Sequence, residues 1–61
     1  MEVFSVKEAA KLLKCSEWTI REMCKHGELK YFRVGNNIRI RDTEIERYIR
    51  QSEQVNHANR F

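Results

Sequence analysis

The sequence has no proline, only two glycines and two cysteines, and no long run of apolar residues. Because no proline- or glycine-rich linker divides its 61 residues, we expect one small domain. A domain of this size has little room for a substrate cavity, which typically needs about 300 Å³ or more. We therefore expect neither an enzyme nor a small-molecule substrate.

The cysteines and histidines do not have the spacing of a metal site. Cys15 and Cys24 form no C-x-x-C pair, and His26 and His57 are not at zinc-ligand distances from them along the chain. We expect two reduced thiols, no metal and no cofactor. No spacing supports a catalytic triad or a carboxylate pair. The absence of a signal peptide and of a membrane-spanning run predicts a cytoplasmic protein without a membrane partner.

Positive charge is concentrated in the middle of the chain. The formal net charge is +3. Residues 14–41 hold seven basic and three acidic residues, whereas residues 42–61 hold three basic and four acidic ones. This distribution favours an anionic partner for the middle segment.

Two amphipathic helices are predicted in the first half. The stretch SVKEAAKLLK opens with a Ser-x-x-Glu capping box at Ser5, and its apolar residues recur with helical spacing, which predicts a helix over about 6–14. A second helix is predicted over about 17–26, with Ser16 as N-cap and Gly27 just after its end. So short a connection forces an angled pair, which is the geometry of a helix-turn-helix.

The stretch KYFRVGNNIRIR changes to a period of two, which predicts a β-hairpin. We expect a three-residue turn over 35–37, because a two-residue Asn-Asn turn would set Val34 against Arg39. The hairpin face expected to pack on the core consists of Phe32, Val34, Ile38 and Ile40.

The same register predicts an arginine pair on the outward face of the hairpin. Arg33 and Arg39 would lie directly opposite each other. Like charges placed side by side are unfavourable unless a polyanion is bound between them, so we interpret the pair as a phosphate-binding element. The alternative is a solvated edge that only discourages pairing with other strands.

A third helix follows in RDTEIERYIRQ, with Asp42 or Thr43 as its cap. The predicted order is therefore helix, helix, two-stranded hairpin, helix. This is a mostly α fold with a small β-hairpin, a winged helix-turn-helix over residues 1–51. The polar residues 52–61 are expected to form a flexible tail.

The second helix of such a fold enters the DNA major groove, and the hairpin reaches the flanking backbone. Arg21 is the best candidate for a bidentate contact with guanine, and Glu17 for accepting from cytosine N4. The alternative for these two residues is a simple i, i+4 ion pair. Lys25 is expected to contact phosphate.

Trp18 has three alternative roles: packing under the wing, stacking on sugar-phosphate, or contact with a second protein. Of these we prefer packing. The full predicted DNA-binding set is Ser16, Glu17, Trp18, Thr19, Arg21, Glu22, Lys25, Arg33, Asn36, Asn37, Arg39 and Arg41.

Most of the chain, FSVKEAAKLLKCSEWTIREMCKHGELKYFRVGNNIRIRDTEIERYI, resembles the excisionase-type, MerR-like winged helix family. Members typically show "[LFY]-[ST]-V-x-E-A-A-x-L-L", a Ser-initiated second helix, "G-x-L", an "R-[VI]-G-x-x-x-R-[IV]" wing and a short final helix. Here these motifs are residues 4–13, 16–26, 27–29, 33–40 and 45–49. Lys14-Cys15 replaces a frequent Gly-Val, and Trp18 occupies a position that is usually polar.

The resemblance implies binding to double-stranded DNA in a bacterium, at the nucleoid, and a phage or mobile-element origin. Small members of the family often act as recombination directionality factors, which bend DNA beside an attachment site and help a tyrosine-type integrase to excise the element. Because one module makes a small interface, adjacent copies on DNA are expected. The alternatives are a small transcriptional regulator and a protein-interaction module that does not bind DNA.

Overall fold

The computed structural model describes the backbone of residues 1–59 and the side chains of residues 1–53. The predicted winged helix-turn-helix class is confirmed, with one additional strand at the start of the chain. Within the described residues, no helix combines the length and apolar character needed to cross a membrane. The elements are β1 (Val3–Ser5), α1 (Val6–Leu13), α2 (Glu17–Lys25), β2 (Phe32–Val34), β3 (Asn37–Arg41) and α3 (Asp42–Asn59).

Local capping signals set the start of α1 and the end of α2, as predicted. The Ser5 hydroxyl accepts from the amide of Glu8 at 3.1 Å, and the Glu8 carboxylate accepts from the amide of Ser5 at 2.9 Å. Lys14 then ends α1 in the left-handed conformation, with φ of 56°. Gly27, with φ of 82°, follows the end of α2 at the position predicted for it.

The sheet has three antiparallel strands in the order β1-β3-β2. The sequence analysis missed β1, which is only three residues long. Its pairing with β3 places Phe4 opposite Ile40. Because successive side chains point to opposite faces of a sheet, this pairing turns Phe4, Ile38 and Ile40 towards the core and Arg39 and Arg41 away from it.

The predicted hairpin register is wrong by one residue. Val34 pairs with Asn37 and Arg33 with Ile38, so the turn has two residues, Gly35 and Asn36. Gly35, in the first position of the turn, has φ of 64°. Two-residue hairpin turns need a positive φ there, which glycine adopts readily. The expected pairing of Arg33 with Arg39 is therefore absent, and Arg39 is opposite Phe32.

Because of this register, the two apolar residues of β2 do not fasten the hairpin to the core. Phe32 and Val34 are on the outer face, with exposed fractions of 41% and 55%. The wing is held instead by β3, whose Ile40 is fully buried. The core joins all three helices, β3 and the α2–β2 connection through Val6, Ala9, Ala10, Ile20, Met23, Cys24, Leu29, Ile40 and Ile45.

Helix α3 starts at Asp42, whose carboxylate accepts from the amides of Thr43 at 2.7 Å and Glu2 at 3.2 Å. The helix continues to Asn59, beyond the predicted end near residue 51. Residues 60 and 61, the end of the predicted tail, lie outside the described residues. The division into a domain and a tail stays a prediction.

An ion pair within α3 is hydrogen-bonded to the backbone of the α2–β2 connection. Glu44 accepts from Arg47 at 2.9 Å and from the amide of Lys30 at 3.2 Å, while Arg47 also donates to the carbonyl of Glu28 at 3.1 Å. The hydrogen bond from Arg47 is the main reason that the pKa of Glu44 lies below its ordinary value. The pair therefore holds the segment that leads into the wing.

Replacing Arg47 with alanine should lower the free energy of unfolding by about 1 kcal/mol at neutral pH, because charge-assisted hydrogen bonds to half-buried partners are lost. The stabilisation linked to Glu44 is present above its unfolded pKa and is lost as the pH falls through its lowered folded pKa. The difference between the two proteins should therefore shrink at acidic pH. Urea unfolding at neutral and acidic pH measures it.

The matched control for this prediction is Arg50→Ala, which removes an exposed arginine from the same helix. Its effect on stability should stay within about 0.5 kcal/mol. An equal loss in the two variants would contradict the structural role of the Glu44–Arg47 pair.

Candidate nucleic-acid interface

Helix α2 has one buried side and one exposed side. Ile20, Met23 and Cys24 are in the core, as predicted. On the opposite side, Trp18 and Arg21 are exposed, at helical positions i and i+3. Lys25 continues this stripe at i+7 and is exposed as well.

The N-terminus of α2 is capped from within the protein. The Ser16 hydroxyl accepts from the amide of Thr19 at 3.0 Å and lies 2.9 Å from the Thr19 hydroxyl. Two predicted contact residues are therefore engaged with each other. Their first role is to start the helix that carries Glu17, Trp18 and Arg21.

A cleft of about 210 Å³ lies between the starts of α1 and α2 and the wing. It contains five of the predicted site residues, drawn from α2 and from the wing tip. The cleft is smaller than a typical small-molecule site, which takes about 300–1,000 Å³. Its lining residues are Ser5, Val6, Lys7, Glu17, Arg21, Asn36, Asn37, Ile38 and Arg39.

Three cationic side chains and one carboxylate line this cleft. Lys7, Arg21 and Arg39 come from α1, α2 and β3 respectively, and Glu17 supplies the carboxylate. Among the described side chains, Glu17 and Arg21 do not form the i, i+4 ion pair that was the alternative to base contact. The cleft therefore concentrates positive charge from three separate elements.

The cations of the cleft differ in how far the protein already engages them. Arg39 donates one hydrogen bond from Nη1 to the carbonyl of Ile38 at 2.9 Å, which leaves its other guanidinium donors for a ligand. Burial raises the pKa of the Cys24 thiol, and the positive charge of Arg21 lowers it. Burial nevertheless dominates, and the pKa of the Cys24 thiol is raised above its ordinary value.

Other predicted site residues lie outside this cleft. The Arg33 guanidinium is 5.8 Å from the centre of the Tyr31 ring, a cation–π distance. Arg41 lines a second cleft of about 260 Å³, together with Lys30, Tyr31, Phe32 and Glu44. Glu22 lies 3.2 Å from the His26 ring nitrogen. The predicted set therefore does not lie in one cleft.

The preferred role of Trp18 was wrong. Its side chain does not pack under the wing but is 68% exposed on α2. The reason is geometric: Trp18 is at the helix position two residues before Ile20, so the side of α2 that buries Ile20 turns Trp18 towards solvent.

Lys7 is the cleft residue that sequence reasoning missed. It is the second residue of α1 and is exposed. Its position was visible as a lysine on the polar side of the first helix. Its proximity to Arg21 and Arg39 was not visible, because that depends on how α1 packs beside α2 and the sheet.

A comparison with known families agrees with this geometry. The model of a family described as a helix-turn-helix domain matches residues 3–53. The chain belongs to this helix-turn-helix family. No curated protein and no solved structure matches the chain.

Family membership assigns roles to the first two helices. The chain is thus a DNA-binding protein of the helix-turn-helix type, and α1 and α2 are the two helices of the motif. The wing formed by β2 and β3 stands beside α2, across the cleft. Among the described residues, no group of three or more His, Cys, Asp or Glu side chains could hold a metal ion.

Proposed function

We propose that this protein is an excisionase-type DNA-binding factor of a phage or mobile element, which binds and bends DNA beside an attachment site. The observation that carries the DNA-binding part is the cleft lined by Lys7, Arg21 and Arg39 between α2, the proposed recognition helix, and the wing tip. The excisionase part is supported by the resemblance of residues 3–50 to that family.

In the proposed complex α2 enters the major groove and the wing lies over the neighbouring backbone. Arg21 and Glu17 face base edges, while Asn36, Asn37 and Arg39 approach sugar and phosphate. The DNA strand that borders the groove would then lie along the cleft. Neutralising its phosphates releases counterions, which makes binding dependent on salt.

The small size of the interface favours several copies on adjacent sites, and the bending comes from the resemblance to the excisionase family. A single module buries about 600–1,000 Å² of protein surface on DNA, which limits the affinity of one copy. Several copies side by side, together with a tyrosine-type integrase, would share the cost of deforming the duplex. The proposed complex therefore contains an integrase and adjacent copies of the chain.

Arg39→Ala should weaken binding to every DNA sequence to the same extent, because Arg39 is proposed to contact phosphate. Losing one phosphate contact should reduce the slope of log K against log salt concentration by about 0.9. Gel-shift titrations of specific and random duplexes at several salt concentrations measure both quantities.

Arg50→Ala is the matched control, since it removes the same charge from an exposed position on α3 that does not line the cleft. It should leave the salt slope nearly unchanged. If the two variants reduce the slope equally, net charge alone governs binding and the phosphate contact assigned to Arg39 is refuted.

Excision control and transcriptional regulation differ in how the protein occupies DNA. Footprinting on selected DNA should show several copies on adjacent repeats, and gel mobility of circularly permuted fragments should show a bend. Occupancy of a single site without bending would favour the small transcriptional regulator. The absence of any complex with duplex DNA at low ionic strength would favour the other alternative, a protein-interaction module that does not bind DNA.

A further inference from the structure

Trp18 is the only tryptophan of the chain, and it is 68% exposed. A large aromatic side chain usually contributes to stability by burying its surface, but this one leaves most of that surface in water. Around the helix axis it lies opposite the buried Ile20, Met23 and Cys24, in the middle of the exposed side of α2. The indole is therefore available to a ligand of α2.

The position of Trp18 along α2 is the one from which base edges are reached. It is the second residue of the helix, one turn before Arg21. The N-terminal residues of a recognition helix are those that contact bases in the major groove. Most groups there are hydrogen-bond donors and acceptors, and the apolar exception is the 5-methyl group of thymine.

We propose that Trp18 is a specificity-determining residue that packs its indole on a thymine 5-methyl group in the major groove. This inference rests on the proposed DNA binding and adds to it the chemical group that is read. Removing both apolar surfaces from water favours thymine at that position over any base that lacks the methyl.

The basic residues near Trp18 favour DNA as the occupant over a second protein, and of the two neighbouring carboxylates, Glu17 and Glu22, Glu22 is engaged by His26. Arg21 and Lys25 are exposed on the same stripe of α2, and Arg21 also lines the cationic cleft. A protein seated on Trp18 would have to cover these cations, whereas DNA neutralises them. Association with a protein through Trp18 is an outcome that the test separates.

The test starts from a target that is selected from random duplexes with the full chain. Each thymine of that target is then replaced by uracil, which lacks only the 5-methyl group. We expect one or two positions at which uracil weakens binding about fourfold, as the loss of one buried methyl predicts. In Trp18→Ala the same substitutions should have no effect.

Leu12→Ala is the matched control, because Leu12 is 53% exposed on α1 and does not line the cleft. It should leave the uracil profile of the wild type unchanged. Trp18→Phe, which keeps an aromatic ring, should retain part of the thymine preference. Thermal unfolding followed by circular dichroism checks that each variant folds.

Fluorescence supplies a direct readout, since Trp18 is the single indole. Acrylamide quenching should decrease when the thymine target binds, and decrease less with the uracil duplex that binds weakly. Indole protection that does not depend on thymine would overturn the inference.

The remaining outcomes distinguish the inference from the function on which it rests. Binding of the target with a flat uracil profile would refute the role of Trp18 and leave DNA binding intact. If the full chain binds no duplex at all, the proposed function fails. Wild-type self-association that Trp18→Ala abolishes, with DNA binding unchanged, would assign the indole to a protein contact and overturn the inference.

Discussion

Arg21→Ala should mainly relax the sequence preference of this protein and spare much of its non-specific binding. A bidentate arginine–guanine contact is worth about 1–3 kcal/mol of discrimination, which corresponds to about a 5- to 150-fold loss in affinity for the selected target. Random duplexes should lose far less. Gel-shift titrations of the selected and random duplexes at one salt concentration give the ratio of the two affinities, which measures the sequence preference.

Two further variants separate the base contact from simple charge. Arg21→Lys keeps the positive charge but lacks the planar fork that a guanine edge requires, so it should lose preference almost as fully as Arg21→Ala. Lys25→Ala removes an exposed charge one turn later on the same helix and should weaken specific and random binding equally. Equal losses on both duplexes for Arg21→Ala would refute its base-reading role.

The starts of α1 and α2 were predictable because the signals that set them are local. The hydroxyl of Ser5 and the amide of Glu8 are three residues apart, and the structure joins them with the predicted hydrogen bonds. The buried positions of α2 follow in the same way from apolar spacing around Ile20. Interactions of this range can be read in a single window of sequence.

The buried face of β3 was predicted correctly, since Ile40, which pairs with Phe4, is buried. The pairing of β2 with β3 was not, because it depends on the turn that joins them. The sequence analysis preferred a three-residue turn over 35–37 to an Asn-Asn turn over 36–37, and the structure has neither. The turn that forms consists of Gly35, at positive φ, and Asn36, and it leaves Phe32 and Val34 on the outer face.

The candidate site was only partly predictable, because it combines residues from separate elements of the fold. Arg21 and Arg39 were identified from residue type and exposed position, and the structure places both on one cleft. Lys7 joins them through the packing of α1, and Arg33 is separated from them by the register. Residue chemistry was thus visible in the sequence, whereas proximity between elements required the fold.

The second large effect is expected at Leu29, which the sequence analysis did not place in the core. Its side chain is completely buried, although it belongs to the connection between α2 and the wing. Replacing a buried leucine with alanine costs about 2–5 kcal/mol. A domain of this size often has only about 3–5 kcal/mol of stability, so Leu29→Ala should be largely unfolded at 25 °C. Circular dichroism during thermal unfolding measures the loss.

The exposed Leu12 supplies the matched leucine-to-alanine control, with an expected change within about 0.5 kcal/mol. Similar melting temperatures for Leu12→Ala and Leu29→Ala would contradict the burial of Leu29.

Bound DNA should counteract the loss of stability caused by Leu29→Ala. A ligand that binds only the folded state adds about 2.7 kcal/mol of stability when its free concentration is 100 times the dissociation constant. The selected duplex should therefore restore helical signal to Leu29→Ala, because the proposed interface on α2 and the wing exists only when the core that joins them is intact. A folded Leu29→Ala protein that no longer recognised the target would show instead that Leu29 acts on the orientation of the wing and contributes little to stability.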